Sequence, residues 1–310
     1  MKIIRHVENL PKRVCGSVIT IGNFDGLHLG HQNILDEVSN YSEVFKLKSI
    51  LVTFQPYPEE FFSKDKEKVF KINNLRDKYT LIAQKGIEEF VCLQFNQKFA
   101  NMSAYDFIEN ILVKKLKAKI IIIGDDFKFG YRREGCFQLL KKLESRYHYK
   151  TYAQDSYLIN NERVSSTAIR KQLIDGDLSQ ASSFLGRNFF ITGTVVHGNK
   201  LGRTIGFPTA NIATKNTNYP LRGVFIVMVE LLNNTKLYGV ANIGNRPTID
   251  GKKIVLEVHI LNFGSDIYGK RLRVRFLKKL RNEMKFETMN DLKQQINIDM
   301  NQAKNYIKNK

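Results

Sequence analysis

Hydrophobic positions in the first half of this 310-residue chain come in short, mostly apolar runs, Val18–Ile21, Ile50–Phe54, Phe90–Phe95 and Ile120–Ile123. Runs of that length predict strands covered on both faces. Between them, apolar residues recur at spacings of three and four, as in Ile34, Leu35, Val38, Tyr41 and Phe45, and again in Ala104, Phe107, Ile108, Ile111 and Leu112. That is the helical period. Strand and helix in alternation predict a parallel sheet with helices on both faces. Ligands bind such sheets at the carboxyl ends of the strands, and Gly22 and Gly124 each follow a run directly.

The pattern changes near residue 185. From Phe189 onward the apolar segments crowd together as Phe189–Val196, Val224–Leu232, Lys236–Ile243, Ile254–Leu261 and Leu272–Phe276, with turn residues such as Leu232-Asn233-Asn234-Thr235 between them. Close spacing of this kind predicts an antiparallel barrel or sandwich. A last helix follows, its apolar positions at Met289, Leu292, Ile296, Met300, Ala303 and Ile307 forming a stripe that predicts packing on the barrel. The break falls in Leu173–Arg187, which carries Asp175-Gly176-Asp177 and Gly186, and it gives domains of 1–185 and 186–310.

Composition narrows the classes. An apolar fraction of 43% is that of a globular protein, and no stretch approaches the ~18 consecutive apolar residues of a membrane span. The first residues, Met1-Lys2-Ile3-Ile4-Arg5-His6-Val7-Glu8, have no long apolar region behind them, so no signal peptide is expected. Cys15, Cys92 and Cys136 are widely spaced and odd in number, which disfavours disulfides and zinc and predicts a cytoplasmic protein. The net charge is +19, but the basic residues are spread out and mixed with acids, as in Lys64-Asp65-Lys66-Glu67-Lys68. Dispersed charge of this sort reads as a solvated surface that suits anionic small substrates, with neither nucleic acid nor membrane as partner.

The candidate chemistry starts at Gly22-Asn23-Phe24-Asp25-Gly26-Leu27-His28-Leu29-Gly30-His31, between the first run and the first helix. Helix N-termini offer unsatisfied N–H groups and a positive dipole end to phosphate. His28 and His31, three apart, fall on one face there, and the glycines allow close backbone approach. A zinc pair would need a further ligand, and no Cys or Glu stands at a matching offset. A second candidate is Ser165-Ser166-Thr167-Ala168-Ile169-Arg170, readable as an ordinary N-cap or as a hydroxyl and guanidinium clamp on a triphosphate. A third, Gly198-Asn199-Lys200-Leu201-Gly202-Arg203-Thr204-Ile205-Gly206-Phe207-Pro208-Thr209-Ala210-Asn211, is glycine-rich and basic. It is not a Walker A loop, because Asn199 stands where that motif needs Lys.

The histidine motif and the distal Ser-Ser-Thr-x-x-Arg together resemble the nucleotidyltransferase module of bacterial FAD synthetases. Asp125-Asp126-Phe127-Lys128-Phe129-Gly130 and Phe54-Gln55-Pro56-Tyr57-Pro58 resemble two further motifs of that family, and all four come in its order. Gly206-Phe207-Pro208-Thr209-Ala210-Asn211 is similar to the signature of riboflavin kinases. Gly223-Val224-Phe225, Asn242 to Thr248, Glu257-Val258-His259, Tyr268-Gly269-Lys270 and Arg281 to Phe286 fit the same family. From end to end the chain resembles bifunctional bacterial riboflavin kinase/FAD synthetases. It departs from the usual pattern at Asn262, where Asp is frequent, and at Tyr57.

This resemblance implies a Rossmann-like nucleotidyltransferase followed by a flavokinase barrel with a C-terminal helix. It implies ATP, riboflavin, FMN and FAD as substrates and products, Mg²⁺ as cofactor, and at most a weak homo-oligomer. In the first domain it implies His28, His31 and Arg170 as catalytic residues. Gly22, Asn23, Phe24, Asp25, Ser165, Ser166 and Thr167 would hold ATP, and Phe54, Pro56, Asp126 and Phe127 the flavin. In the second it implies Glu257 as base, Thr209 and Asn211 as metal ligands, Gly198, Lys200, Gly206, Phe207 and Pro208 on ATP, and Arg281 and Glu283 on the flavin side. Two other classes remain open on the sequence: an adenylyltransferase for a pantetheine or nicotinate nucleotide, and a non-catalytic flavin- or RNA-binding regulator.

Overall fold

The computed structural model describes residues 1–5, 10, 15–63, 70–198, 206–213, 219–231, 235–248 and 251–309, with backbone alone at 245–248 and 251–253. It forms two compact units, Met1–Val69 with Leu75–Ser165, and Phe70–Asn74 with Ser166–Lys310.

The first unit holds six parallel strands: β1 (Lys2–Arg5), β2 (Ser17–Ile21), β3 (Lys48–Gln55), β4 (Glu89–Gln94), β5 (Ala118–Gly124) and β6 (Lys150–Gln154). Their order is β1-β4-β3-β2-β5-β6. The helices are α1 (Leu29–Phe45), α2 (Pro58–Phe62), α3 (Leu75–Ala83), α4 (Gln97–Ala100), α5 (Ala104–Asp106) and α6 (Phe137–Tyr147). All four predicted apolar runs are strands, and alternate residues of each feed two cores. Ile19, Ile21, Val52 and Ile121 pack with Phe107, Ile108 and Leu140, while Val18, Leu51 and Ile122 pack with Leu35, Val38 and Ile82. Helices therefore cover both faces, as the periodicity predicts. The segment after α5, Phe107–Lys115, winds as a π-helix, closing for example with Leu116 N–H on the Ile111 carbonyl at 2.9 Å. Its apolar spacing matches a helix, and nothing in that spacing signals the wider turn.

The short hairpin β7 (Leu158–Ile159) and β8 (Glu162–Arg163) leads to the second unit, with α7 (Ser166–Asp175) and α8 (Leu178–Leu185). Then come β9 (Phe190–Val196), β10 (Ala210–Ala213), β11 (Gly223–Glu230), β12 (Lys236–Thr248), β13 (Gly251–Ile260), β14 (Arg271–Arg281) and α9 (Met289–Lys308). The six strands close into a barrel of order β10-β13-β12-β11-β14-β9, every pair antiparallel. Thr288 and Asp291 form a capping box that starts α9. The predicted stripe along α9 is only partly covered. Met289 is 53% exposed, and the most buried positions are Asp299 and Ala303. Asp299 is buried because Arg281 of β14 grips it, with Nη2 on Oδ2 at 2.8 Å and Nε on Oδ1 at 3.0 Å. A paired carboxylate thus sits at the edge of the apolar stripe, three residues past Ile296 and four before Ala303.

Buried Leu272, Val274 and Phe276 alternate along β14 with Arg271, Arg273 and Arg275. Arg273 and Arg275 lie over the Phe190 ring, at 4.6 and 5.6 Å from its centroid, and Arg187 lies at 5.8 Å. Burial and the charges of Arg275 and Arg273 push the Arg187 guanidinium down to about 10. Glu230 answers this surplus. It accepts from Arg275 Nε at 2.7 Å and from Arg273 Nη1 at 3.5 Å. Burial alone would raise its carboxyl, but the Arg275 bond and the two arginine charges outweigh that and hold it below its ordinary value. A carboxyl depressed on folding stabilises the native state above its unfolded pKa of about 4.3, and loses that contribution as pH falls through the lower folded value. Glu230→Gln is expected to cost the barrel about 1–3 kcal/mol at pH 7, between the surface and buried limits for ion pairs. The gap from wild type should close as melting is followed by calorimetry toward pH 3; a gap independent of pH would refute the assignment.

Candidate active sites

Strand order places the first site. The chain passes from β2 to β3 on one side, and later returns to β5 on the other, so loops part at the carboxyl ends of β2 and β5. Crevices at such a switch point bind ligands in open α/β sheets. The loop Gly22–His28 leaves β2 there, and the loop starting at Asp125 leaves β5.

In the first loop, Phe24 and Leu27 have φ of 47° and 43° although neither is glycine. Asp25, Phe24 and Leu27 are buried. The Asn23 carbonyl accepts from Lys78 Nζ at 2.6 Å and from Thr53 Oγ1 at 3.3 Å, and Tyr57 Oη donates to Asp25 at 3.4 Å. His28 is the N-cap of α1, one residue ahead of the helix, and its Nδ1 accepts the His31 backbone N–H at 3.3 Å. The two imidazoles stack with centroids 3.6 Å apart. With Nδ1 acting as acceptor, a neutral His28 carries its proton on Nε2 and offers that N–H as donor. Gly30 leaves room for the pair, since a Cβ there would stand 3.3 Å from His28 Nδ1.

The second loop divides in character. Asp125 accepts from Ser156 Oγ at 3.0 Å, and Asp126 pairs with Arg163 of β8. Phe127 stacks on Phe129 at 5.7 Å. A file of rings runs from Phe129 through Phe107 and Phe99 to Phe54, each step between 5.5 and 5.9 Å. Phe54 and Phe127 therefore belong to one aromatic wall. Pro56, joined to Gln55 by a cis peptide, follows β3 and leads into α2.

The hydroxyl motif straddles the division between the units. Ser165 ends the first; Ser166, Thr167 and Arg170 lie on α7 in the second. Within that second unit Arg170 Nε donates to the Phe70 carbonyl at 2.7 Å, which ties the Phe70–Asn74 segment to α7.

On the barrel, register does the gathering. Asn211 of β10 stands opposite Glu257 of β13, and Glu257 stands opposite Asn242 of β12. Residues directly opposite share a face at short range. Ile212, Leu256 and Val258 point to the other side and are buried. Gly198 abuts Asn211 so closely that a Cβ would lie 2.1 Å from the amide nitrogen. Gly244 likewise abuts Glu283, whose Oε1 lies 1.7 Å from the position of a Cβ. The Gly206–Asn211 segment is held by His259, whose Nδ1 is 2.8 Å from the Pro208 carbonyl and whose ring meets Phe207 edge-on at 5.8 Å. A carbonyl only accepts, so this Nδ1 carries a proton. Thr209 sits between the clamped Pro208 and β10. Lys200 lies outside the described residues. Arg281 is committed to Asp299, as above. Lys78 and His259 were not among the sequence candidates; His259 stands two residues past Glu257 on the same face, and that spacing could have marked it.

Comparison with known proteins then decides the family. Residues 10–168 match the family model for FAD synthetase, and residues 185–307 that for riboflavin kinase. The bifunctional riboflavin kinase/FMN adenylyltransferase of Escherichia coli (strain K12) is 41% identical over 310 residues, covering 99% of this chain and 98% of that protein. This chain belongs to the bifunctional riboflavin kinase/FMN adenylyltransferase family. The Haemophilus influenzae member is also 41% identical, over 99% of both chains. A crystal structure described as a macrolide-efflux protein from Streptococcus pneumoniae superposes with a TM-score of 0.86 at 30% identity, over 98% of this chain and 99% of that one. Among the described residues of this chain no helix is long and apolar enough to cross a membrane. The family's two transferase activities therefore lie in the order adenylyltransferase, then kinase.

The fit of Gly198 against Asn211 makes a sharp test of the second site. Gly198→Ala must displace the Asn211 amide. It is expected to lower riboflavin phosphorylation about 10²-fold, the scale of an ångström misplacement, while FAD formation from added FMN stays unchanged.

Proposed function

We propose that residues 1–185 transfer an adenylyl group from ATP to FMN and that residues 186–310 phosphorylate riboflavin, with the roles that follow. The observation that carries the first half is the stacked His28–His31 pair at the start of α1, at the switch point of the sheet. FMN phosphate is already an anion and attacks the α-phosphorus of ATP without a base, and pyrophosphate leaves. Crowded negative charge is the barrier, and preorganised donors lower it. His28 donates from Nε2, with His31 stacked on it at the start of α1. Gly22, Asn23, Phe24 and Asp25 shape the nucleotide turn. Ser165, Ser166, Thr167 and Arg170 engage the β- and γ-phosphates. Phe54, Pro56 and Phe127 give the flavin its apolar wall, and Asp126 a polar edge.

In the barrel the riboflavin 5′-hydroxyl attacks the γ-phosphorus of ATP. An alcohol is a weak nucleophile until its proton is taken, and Glu257 is the base. Gly198, Lys200, Gly206, Phe207 and Pro208 cradle the nucleotide, and Arg281 and Glu283 line the flavin side. The Thr209 hydroxyl and Asn211 amide oxygen are hard neutral donors beside a carboxylate, a set that fits Mg²⁺. When bound there, Mg²⁺ supplies neutralisation of phosphate charge. The dispersed +19 suits anionic small substrates in the cytoplasm, with no nucleic acid or membrane partner.

Chromatography of riboflavin, ATP and Mg²⁺ incubated with the purified chain tests this reading, with FMN expected first and FAD after it. His31→Ala should lower FAD formation by about 10²–10³, the scale of one lost transition-state donor, and leave FMN formation intact. A folded variant losing both activities equally would break the two-site assignment.

A further inference from the structure

Lys78 is buried where lysine is rarely found. It is 1% exposed, on the covered side of α3 beside Asp77. Lysine is among the residues least often fully buried, and an ammonium taken out of water is costly unless it is paired and hydrogen-bonded. Its surroundings show what it holds. Nζ donates to the Asn23 carbonyl at 2.6 Å and lies 4.4 Å from the centroid of the Tyr57 ring. The Tyr57 hydroxyl in turn reaches Asp25. Lys78 thus reaches the turn that follows β2 directly at Asn23, and through Tyr57 at Asp25.

That turn needs holding. Phe24, the residue after Asn23, sits at φ 47°, and Leu27 at φ 43°. Left-handed backbone at bulky residues persists only where the surroundings over-determine it. The Asn23 carbonyl has two lone pairs, and it receives two donors, Lys78 Nζ and Thr53 Oγ1. The peptide that precedes Phe24 therefore cannot rotate without breaking both bonds. One of them is charge-assisted and buried, which makes it the stronger.

We propose that Lys78 is a positioning residue for adenylyl transfer: a buried cation that clamps the Asn23–Asp25 turn in the shape that receives the nucleotide. The proposal rests on the adenylyl-transfer reading of this site. Lys78 acts through the turn and not on substrate, so its loss should appear first in nucleotide recognition. The Tyr57 ring and hydroxyl are the second brace, bridging the ammonium to Asp25.

The full-length chain with Lys78→Met, which keeps the volume and removes the charge, is the test, with Tyr57→Phe as a milder partner. Two quantities are measured: the KM for ATP and for FMN in FAD formation, and amide hydrogen exchange along the chain. Lys78→Met is expected to raise the ATP KM about tenfold or more, the cost of a misplaced contact, with the FMN KM little changed. Exchange should quicken at Asn23–Leu27 and stay as in wild type across β3 and β5. Tyr57→Phe should shift both readouts in the same direction by less, because the ring still covers the ammonium. An unchanged ATP KM with unchanged exchange in the turn overturns the proposal. So does exchange that quickens evenly through the sheet, which would make Lys78 a packing residue. Should Lys78→Met fail to fold, exchange in Tyr57→Phe decides. A wild type that forms no FAD removes the functional reading, and the exchange data still decide whether Lys78 holds the turn.

Discussion

Parallel strands cannot be joined by tight turns, so each of the six in the sheet is reached by a crossover. With β2 between β3 and β5, the crossovers diverge at its carboxyl end. The start of α1 adds N–H groups at that end, beside a turn whose Asn23 carbonyl is held by Lys78 and Thr53. The rest of the first unit is arranged about this opening. Gly30 leaves room for the His28 ring, and His28 caps the helix through Nδ1. The aromatic file from Phe54 to Phe127 packs into the core of this unit, with Phe54, Phe107 and Phe129 buried.

The barrel reaches a comparable concentration of function by another route. No loop there needs to diverge, because antiparallel register alone sets Asn211, Glu257 and Asn242 in a row across three strands. What the loops contribute is closeness. Gly198 lets a strand end press on the Asn211 amide, and Gly244 lets the Glu283 carboxylate lie on backbone. In both places a side chain occupies the volume where a Cβ would stand. At these two positions it is the missing side chain that matters, because the polar group of a neighbour fills its place.

Much of this was legible in the sequence where the signal is periodic or consecutive. The four apolar runs became β2 to β5, and the histidine motif lies on one loop, so its members could only be near each other. Edge strands escaped the pattern: β6 has one buried residue in five, and β1 one in four, so neither shows a run. Buried charge escaped it too. Lys78 and Asp299 are polar letters in helical patterns, where polarity is read as exposure, and only the distant partners Asn23 and Arg281 reverse that reading. Cross-strand neighbours such as Asn211 and Glu257 lie 46 positions apart, and no single strand states its register.

Two histidines, one in each unit, show why partners matter more than residue type. His28 Nδ1 faces a backbone N–H, so it must be bare, and the proton of the neutral ring lies on Nε2. His259 Nδ1 faces a carbonyl, so it must be protonated. The first arrangement spends Nδ1 on capping α1 and so fixes the ring to the start of that helix. The second spends its donor on the Pro208 carbonyl and so fixes the segment that carries Thr209 and Asn211. One imidazole accepts from the backbone and the other donates to it. The difference follows from which backbone atom each ring meets at the end of a strand.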